Sequence, residues 1–160
     1  LNQFMRNFAE VVRLPEPNRE WAAAGAVLKR VQQLMLPLAQ QQNTALELDI
    51  PDHPIRLEID EEQIEQALVN MVKNALESLG RGGMVKLILS ANPAQIIVAD
   101  NGPGLPPGAE REWMSPFYST KPDGQGIGLT LIKEIARQHN GRCELETLPS
   151  GWTECRIRFS

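Results

Sequence analysis

The chain has little of several features that would place it in a specialised class of protein. Only two of its 160 residues are cysteines, which is too few for a disulfide framework. No apolar run approaches the roughly 20 residues that span a bilayer, and no signal peptide opens the sequence. The formal net charge of -4 lacks the basic excess of nucleic-acid-binding surfaces. These absences argue against a disulfide scaffold, a membrane span and a nucleic-acid partner.

The two cysteines form no metal motif either. Cys143 and Cys155 stand apart in the sequence, with no Cys or His pair nearby that could complete a site. We expect both to be small buried thiols in a reducing cytoplasm. The length suits one domain with a short appended element. Because the chain opens on Leu1 rather than Met, we expect it to be a piece of a longer protein.

An amphipathic segment opens the chain and stands apart from the rest of the sequence. Residues 1–14 carry apolar side chains at helical spacing, and Pro15 and Pro17 end that predicted helix. We therefore divide the chain into residues 1–17, the end of a larger helical unit with its linker, and residues 18–160, the main domain.

Helix and strand patterns alternate at the start of the main domain. A helix is predicted from about 22 to 42, and Pro37 is expected to kink it or mark its end. Alternation with a period of two predicts a pair of strands at 46–50 and 55–59, each with one polar face.

The clearest helix of the chain is predicted at 61–79, where the apolar residues keep to one face. Asp60 and Gln63 form a capping box at its start. Strands are predicted at 84–91 and 95–99, and the second is an apolar run typical of a central position in a sheet.

A loop rich in proline and glycine, at about 101–125, leads to a final helix and a closing hairpin. Placing Glu146 opposite Arg156 and Glu144 opposite Arg158 pairs opposite charges, and keeps the two cysteines from facing each other. The predicted fold class is an α+β two-layer sandwich, with a mixed, mostly antiparallel sheet covered on one face by three helices.

Two asparagines on the predicted 61–79 helix are the first candidates for a binding site. Asn70 and Asn74 lie one turn apart on a shoulder of the apolar stripe. Asparagine destabilises a helix by up to about 0.7 kcal/mol relative to alanine. Two asparagines one turn apart therefore suggest a functional role. An amide oxygen is a hard, neutral ligand, suited to Mg²⁺ that phosphates already neutralise. The alternative is two solvated polar residues.

A carboxylate at a strand end is the second candidate. Asp100 comes directly after the apolar strand and opens the sequence Asp-Asn-Gly-Pro-Gly. Such a group is costly to bury without a dedicated partner, and the exocyclic amine of a purine would be one. Gly102 and Gly104 allow the backbone to approach a flat ring. The alternative is a plain turn.

Glycines at the start of the last helix are the third candidate. Gly124, Gly126 and Gly128 expose backbone N–H groups at a helix N-terminus, which favours an anion. The spacing fits a dinucleotide fingerprint poorly, because no strand leads directly into it, and the lysine of a P-loop is missing. The alternative is a flexible loop that runs into a helix.

The segment 115–121 combines an aromatic pair with one lysine in a small, polar, proline-marked loop. Such a segment could act as a lid, with Lys121 reaching phosphate oxygens. The alternative is a surface loop without a ligand.

The four motifs together resemble the GHKL ATPase superfamily, and specifically the histidine-kinase catalytic domain, over about residues 22–159. The lid and the Asn-Ala-Leu-Glu-Ser end of the helix are most similar to the nitrogen-regulation subclass. The matching residues are Asn70 and Asn74 in the asparagine box, Asp100, Gly102 and Gly104 in the first glycine box, Phe117 in the phenylalanine box, Gly124, Gly126 and Gly128 in the second glycine box, and Gly151-Trp152-Thr153 as a remnant of the third.

The resemblance implies a Bergerat fold in which ATP lies between the asparagine helix and a flexible lid. By this analogy Asp100 accepts a hydrogen bond from the adenine amino group, and Asn74 coordinates Mg²⁺ with support from Asn70. Lys121 meets the terminal phosphates, and Lys73 is a second phosphate candidate although its helical angle points away. Asn70, Asn74 and Lys121 form the catalytic set. The nucleotide-binding set also includes Phe117, Thr120, Gly124, Gly126, Ile127, Gly128, Leu129 and Thr153.

The activity that the resemblance implies is transfer of the ATP γ-phosphoryl group to a histidine on a separate dimerisation domain, for relay to a response regulator. The alternatives are an ATPase of the gyrase, mismatch-repair or chaperone type, and a non-catalytic nucleotide-binding module. Those ATPases place a water-activating glutamate where this chain has Asn70, which cannot take a proton. Hydrolysis by water is therefore expected to be slow, and the intact boxes argue against the module.

The phosphoacceptor histidine is expected to lie outside this chain. His53 and His139 are the only histidines, and neither has an acidic residue after it on a helical hairpin. The chain alone should therefore show almost no autophosphorylation. The resemblance implies that residues 1–17 end the missing dimerisation hairpin, and that the domain is cytoplasmic with no membrane contact of its own, whether or not its parent is anchored in the inner membrane.

Overall fold

The structure, a computed structural model, describes residues 14–106 and 127–159. Three helices pack on one face of a five-stranded sheet, and a two-stranded sheet accompanies it. The predicted α+β two-layer architecture is therefore confirmed. In chain order the elements are β1 (Glu20–Ala23), α1 (Ala24–Gln41), β2 (Ala45–Asp49), β3 (Arg56–Ile59), α2 (Glu61–Leu79), β4 (Met84–Ala91), β5 (Ala94–Asp100), α3 (Ile127–Gln138), β6 (Gly141–Thr147) and β7 (Thr153–Phe159).

The five-stranded sheet has the order β2-β4-β5-β7-β6. β2 and β4 run parallel, and the other neighbouring pairs are antiparallel. β5 lies between β4 and β7 and is buried from Ile96 to Asp100, as its apolar run predicts. The last strand, β7, is an interior strand, so β6 joins the sheet only through it.

The core lies between the sheet and the buried faces of the helices. Each fully buried Leu or Ile contributes about 1.5–3 kcal/mol relative to an exposed one, and such residues come from every layer. The largest fully buried side chains include Leu28 of α1, Ile64, Leu68 and Met71 of α2, Leu87 and Ile96 of the central strands, Leu131, Ile132 and Ile135 of α3, and Ile157 of β7.

Pro37 does not end α1, although the sequence left that open. The helix continues to Gln41, one turn beyond the proline. Pro37 is exposed, so water can replace the hydrogen bond that its missing N–H would have made. The cost of the proline is therefore small enough for the buried face of α1 to carry the helix past it.

The two alternating segments at 46–50 and 55–59 are strands, as predicted, and they do not pair with each other. β2 pairs in parallel with β4, and β3 pairs with β1, a strand that the sequence did not predict. Two prolines, Pro51 and Pro54, stand in the connection and do not suit a tight hairpin turn. Each strand therefore finds a partner far away along the chain.

The predicted capping box at the start of α2 is half present. The Asp60 carboxylate accepts a hydrogen bond from the Gln63 backbone N–H at 3.1 Å. The Gln63 side chain, however, donates to the Pro15 carbonyl at 2.8 Å. The Asp60 N–H donates instead to Nε2 of His139 at 3.1 Å, and the second Asp60 oxygen accepts from the Asn18 N–H at 2.8 Å. The helix start is thus tied to both the incoming chain and α3.

The closing hairpin forms as predicted, but its predicted register is wrong by two residues. Arg156 faces Glu144 rather than Glu146, and Glu146 faces Glu154. A shift of two residues leaves every side chain on its predicted face, because side chains alternate with a period of two along a strand.

The turn, rather than the charges, sets this register. The Leu148 N–H donates to the Trp152 carbonyl at 2.7 Å, and the Gly151 N–H donates to the Leu148 carbonyl at 2.9 Å. Gly151 has a φ of 95°, which favours glycine. Arg156 still forms an ion pair with Glu146 by reaching diagonally, so the charges are satisfied in either register.

The cysteines do not face each other, as predicted, and both are free thiols. Cys143 is opposite Ile157, and Cys155 is opposite Leu145. A hydrogen bond with Cys143, together with burial, raises the pKa of the Cys155 thiol well above its ordinary value. Cys155 is therefore an unreactive core thiol at neutral pH.

Candidate functional site

The two asparagines of α2 face the start of α3. Asn70 donates its amide hydrogen to the Gln66 carbonyl at 2.9 Å, which fixes the orientation of its side chain. A Cβ added to Gly128 would stand 3.5 Å from Oδ1 of Asn74 and 3.6 Å from Oδ1 of Asn70. The structure therefore brings together the asparagine pair and the third of the predicted glycines.

The missing side chain of Gly128 shapes this part of the site. Distances of 3.5 and 3.6 Å to the amide oxygens are ordinary van der Waals contacts for a methyl group. A larger residue could occupy the space, but it would cover the oxygens of Asn70 and Asn74. Glycine keeps both oxygens accessible beside the first turn of α3, where backbone N–H groups lack helical partners.

Asp100 occupies the end of β5 and is only 6% exposed. One carboxylate oxygen accepts a hydrogen bond from the Gly102 N–H at 3.0 Å. Burial nevertheless raises the pKa of Asp100, and the Gly102 bond only partly opposes it. A buried carboxylate of this kind gains most from a ligand that donates a hydrogen bond.

Two glycines after Asp100 are required by close packing. A Cβ on Gly102 would lie 2.9 Å from the Asp100 carboxylate, closer than real Cβ contacts come. Gly104 has a φ of 84°, and a Cβ there would lie 3.1 Å from Cγ2 of Thr147. Both glycines of the predicted first glycine box are therefore structural requirements of the loop around Asp100.

Thr153 of β7 stands directly opposite Asp100 in the sheet and is 8% exposed. Its hydroxyl lies 3.0 Å from that of Thr147 at the end of β6. Oγ1 of Thr147 also accepts the Leu105 N–H at 2.9 Å. The structure thus gathers Thr153 with Asp100, as predicted, and adds Thr147, which the sequence analysis missed.

The signal for Thr147 existed but depended on the register of the hairpin. Thr147 and Thr153 face each other across the turn, and paired threonines on one sheet face commonly bond. The predicted register, two residues away, would have placed Thr147 beside Cys155 instead.

The remaining predicted residues fall in different places. Lys73 is exposed, in agreement with its predicted direction away from Asn74, so the structure does not bring it into the site. Leu129 is partly buried and packs against the core, and Ile127 is the first residue of α3. Outside the described residues lie Phe117, Thr120, Lys121, Gly124 and Gly126.

Neither histidine has the setting of a phosphoacceptor. His139 is 3% exposed, and its ring is held by the Ile135 carbonyl at 2.8 Å from Nδ1 and by the Asp60 N–H at Nε2. Burial lowers the pKa of His139, so the neutral ring with its hydrogen on Nδ1 fits both contacts. His53 is exposed in the connection between β2 and β3.

The donor set suits a cation that arrives with its own anions. In residues 14–106 and 127–159, no group of three or more His, Cys, Asp or Glu side chains could hold a metal ion. Neutral amide oxygens at Asn70 and Asn74 are hard ligands but add no charge. They fit Mg²⁺ that phosphates already neutralise.

The helices within the described residues also include none that is long and apolar enough to cross a membrane.

A family model described as histidine kinase-, DNA gyrase B-, and HSP90-like ATPase matches residues 59–160. The chain belongs to this ATPase family. The match runs from the end of β3 through β7 and so includes Asn70, Asn74, Asp100, Gly128 and Thr153. Membership of this ATPase family implies that the chain binds ATP.

Relatives of this ATPase domain include a sensor protein and a sensory histidine kinase/phosphatase. The C4-dicarboxylate transport sensor protein DctB of Rhizobium meliloti is 36% identical over 113 residues, which are 68% of this chain and 18% of DctB. The sensory histidine kinase/phosphatase NtrB of Escherichia coli O157:H7 is 33% identical over 151 residues, or 80% of this chain and 43% of NtrB. The chain therefore spans less than half of these relatives.

Solved structures confirm the fold. The nucleotide-free catalytic domain of histidine kinase ThkA superposes with a TM-score of 0.79 at 23% identity, covering 89% of this chain and 97% of that one. Full-length ShkA in complex with AMPPNP gives a TM-score of 0.79 at 22% identity, covering 98% of this chain and 34% of ShkA. The predicted Bergerat-type fold is thus the fold of this ATPase domain.

Proposed function

We propose that this ATPase domain is the ATP-binding catalytic domain of a two-component sensor histidine kinase. It would transfer the γ-phosphoryl group of ATP to a histidine on a dimerisation domain, for relay to a response regulator. The observation that carries the proposal is that Asn70 and Asn74 lie beside Gly128. Asn70 also occupies the position where an ATP-hydrolysing ATPase of this superfamily would need a glutamate. The sensor kinases among its relatives support the same activity.

Adenine recognition is assigned to the end of β5. One Asp100 oxygen is occupied by the Gly102 N–H at 3.0 Å, which leaves the carboxylate able to accept a second hydrogen bond from the adenine amino group. The close packing at Gly102 and Gly104 holds the loop in a shape that a flat ring can approach. Burial of Asp100 makes this acceptor strong, because water competes little for it.

Phosphate binding is assigned to the gap between α2 and α3. Mg²⁺ would be held by the amide oxygen of Asn74, with Asn70 beside it, and it would neutralise the phosphate charge. The first backbone N–H groups of α3, around Gly128, would bind the phosphate anion at the N-terminus of the helix. Lys121 is proposed to meet the terminal phosphate. Proposed nucleotide contacts from the lid and the helix start are Phe117, Thr120, Gly124, Gly126, Ile127 and Leu129.

Phosphoryl transfer to a protein rather than to water is favoured by the chemistry of Asn70. Activation of water for attack requires a group that takes or orients its proton, and an amide cannot take one. A kinase domain that keeps ATP intact until a histidine arrives gains from this absence. The second candidate, an ATPase of the gyrase or chaperone type, would instead need a carboxylate in this place.

The proposed phosphoryl transfer implies two protein partners for the domain. The domain would act on a dimerisation and phosphoacceptor domain of its parent kinase, with residues 1–17 proposed as the end of that unit. A response regulator would then receive the phosphoryl group. The cytoplasm, where ATP is available, is the proposed compartment.

Calorimetric titration of the chain with a non-hydrolysable ATP analogue, with and without Mg²⁺, tests the binding step. We expect micromolar to millimolar affinity that depends on Mg²⁺, and weaker binding of the GTP analogue. Supplied with the phosphoacceptor hairpin of its own parent and labelled ATP, the chain should label the hairpin with acid-labile phosphate. Rapid release of free phosphate without any hairpin would favour the ATPase candidate instead.

A further inference from the structure

We propose that Thr147 is a positioning residue for base selection, which orients the hydroxyl of Thr153 so that the site reads adenine rather than guanine. This inference rests on the proposed binding of ATP. Thr147 lies outside every motif that the sequence analysis identified, and it acts through Thr153 rather than on the base itself.

The contacts of Thr147 tie three parts of the adenine region together. Its Oγ1 lies 2.9 Å from the Leu105 nitrogen and 3.0 Å from the Thr153 hydroxyl. Its methyl group and hydroxyl would be 3.1 and 3.2 Å from a Cβ on Gly104. Thr153 in turn stands opposite Asp100. One side chain therefore sets both the path of the loop after Asp100 and the surroundings of Thr153.

The first member of this chain of hydrogen bonds sets its polarity. The Leu105 N–H can only donate, so Oγ1 of Thr147 must accept there. A hydroxyl that accepts one hydrogen bond becomes a better donor in the next, which favours donation from Thr147 to Oγ1 of Thr153. The hydrogen of Thr153 is then available to a ligand beside Asp100.

An acceptor beside a donor matches adenine and not guanine. Adenine presents an amino group next to the acceptor nitrogen N1, so it is complementary to the Asp100 carboxylate and a donating Thr153 hydroxyl. Guanine presents a carbonyl oxygen next to an N–H, the reverse order. A site built to pair polar groups rejects a ligand that leaves them unpaired.

Thr147→Val tests the proposal, because valine keeps the shape and the contact with Gly104 but removes the hydroxyl. Affinities of the full chain for non-hydrolysable ATP and GTP analogues with Mg²⁺ are measured by calorimetry, together with the thermal midpoint. We expect the ATP affinity to fall by roughly five- to tenfold, the loss of about one buried hydrogen bond. The GTP affinity should change little, so that the preference for ATP falls by a similar factor.

Thr147→Ser is the matched variant, because serine retains the hydroxyl and should restore the preference for ATP to within about twofold. A merely structural role would lower the affinity for both nucleotides together and leave their ratio unchanged in Thr147→Val, and that result would overturn the proposal. If the valine variant does not fold, Thr147→Ala gives the same comparison of ratios. Failure of the unsubstituted chain to bind ATP would instead overturn the proposed function.

Discussion

The two ends of the antiparallel helix pair α2 and α3 are built in opposite ways. At one end, Asp60 and His139 are joined by a partly buried hydrogen bond of 3.1 Å. At the other end, Asn70 and Asn74 face Gly128 across a space that one Cβ would fill. At the joined end, the polar groups of the two helices bond to each other. At the open end, the amide oxygens of Asn70 and Asn74 lie beside a glycine.

The joined end also receives the incoming chain. Asn18 donates to Asp60 at 2.8 Å, and Gln63 donates to the Pro15 carbonyl at 2.8 Å. Leu14 packs against the core. The described part of the predicted linker is therefore attached to the domain, at the end of the helix pair that lies away from the proposed phosphate site.

The largest expected effect is at the end of β5, where Asp100 carries the proposed contact with adenine. In Asp100→Asn, the amide oxygen stays with the Gly102 N–H, and the amide NH₂ then faces the donor group of adenine. We expect ATP affinity to fall by about 10- to 100-fold and the preference over GTP to be lost. Circular dichroism should show an intact fold, since a buried charge is replaced by a neutral group of equal size. Retention of both affinity and preference would contradict the adenine assignment.

The open end itself is tested by Gly128→Ala. The added methyl would contact Oδ1 of Asn74 and Asn70 without a clash, so we expect about tenfold weaker binding of Mg–ATP. Alanine is a better helix former than glycine by about 1 kcal/mol, so urea denaturation should show equal or greater stability. A loss of stability together with binding would mean that the glycine serves packing rather than the site.

The joined end should respond to pH where the open end does not. Burial lowers the pKa of His139, so its contribution to stability is fully present above the unfolded value of about 6.5 and is lost as pH falls below it. Protonation also removes the acceptor for the Asp60 N–H, which is worth about 1 kcal/mol. Urea denaturation at several pH values should show this decline, and His139→Gln should flatten it. An unchanged decline in the variant would assign the effect to other groups.

The smallest expected effect concerns the exposed charges next to the joined end. Arg30 lies 3.5 Å from Glu61 and 3.6 Å from Glu65, and all three side chains are partly exposed. Arg30→Gln should change stability by less than about 1 kcal/mol, and high salt should reduce the difference further. A larger loss would show that surface charges, and not the Asp60–His139 hydrogen bond, secure this end.

Local patterns were sufficient to predict the parts of the site that depend on one element. The apolar stripe of α2 placed Asn70 and Asn74 correctly because helical spacing needs no knowledge of the rest of the fold. The apolar run of β5 placed Asp100 at a buried strand end for the same reason. The first prediction depends only on the helical period of 3.6 residues, and the second only on an unbroken apolar run.

Long-range pairing could not be predicted in the same way. The β1–β3 sheet joins segments that are far apart in sequence, and the four residues of β1 carry no clear alternation. The hairpin register depended on the geometry of the turn around Gly151, whereas the charges of Arg156 fit two registers. Thr147 was missed as a direct consequence, because its contact with Thr153 exists only in the correct register.

The interior position of β7 gives the domain an order of assembly during synthesis. Asn70 and Asp100 emerge from the ribosome early, and the β4–β5 hairpin can form as soon as it is complete. β6 has no place in the sheet until β7 arrives between it and β5, and Thr153 arrives with it. The proposed adenine region therefore closes only when β7 has been made, so a nascent chain halted before residue 153 would present the asparagines without a complete pocket for the base. Such late, non-local strand pairing is also the slow kind, which makes insertion of β7 the natural final step in forming a domain able to bind ATP.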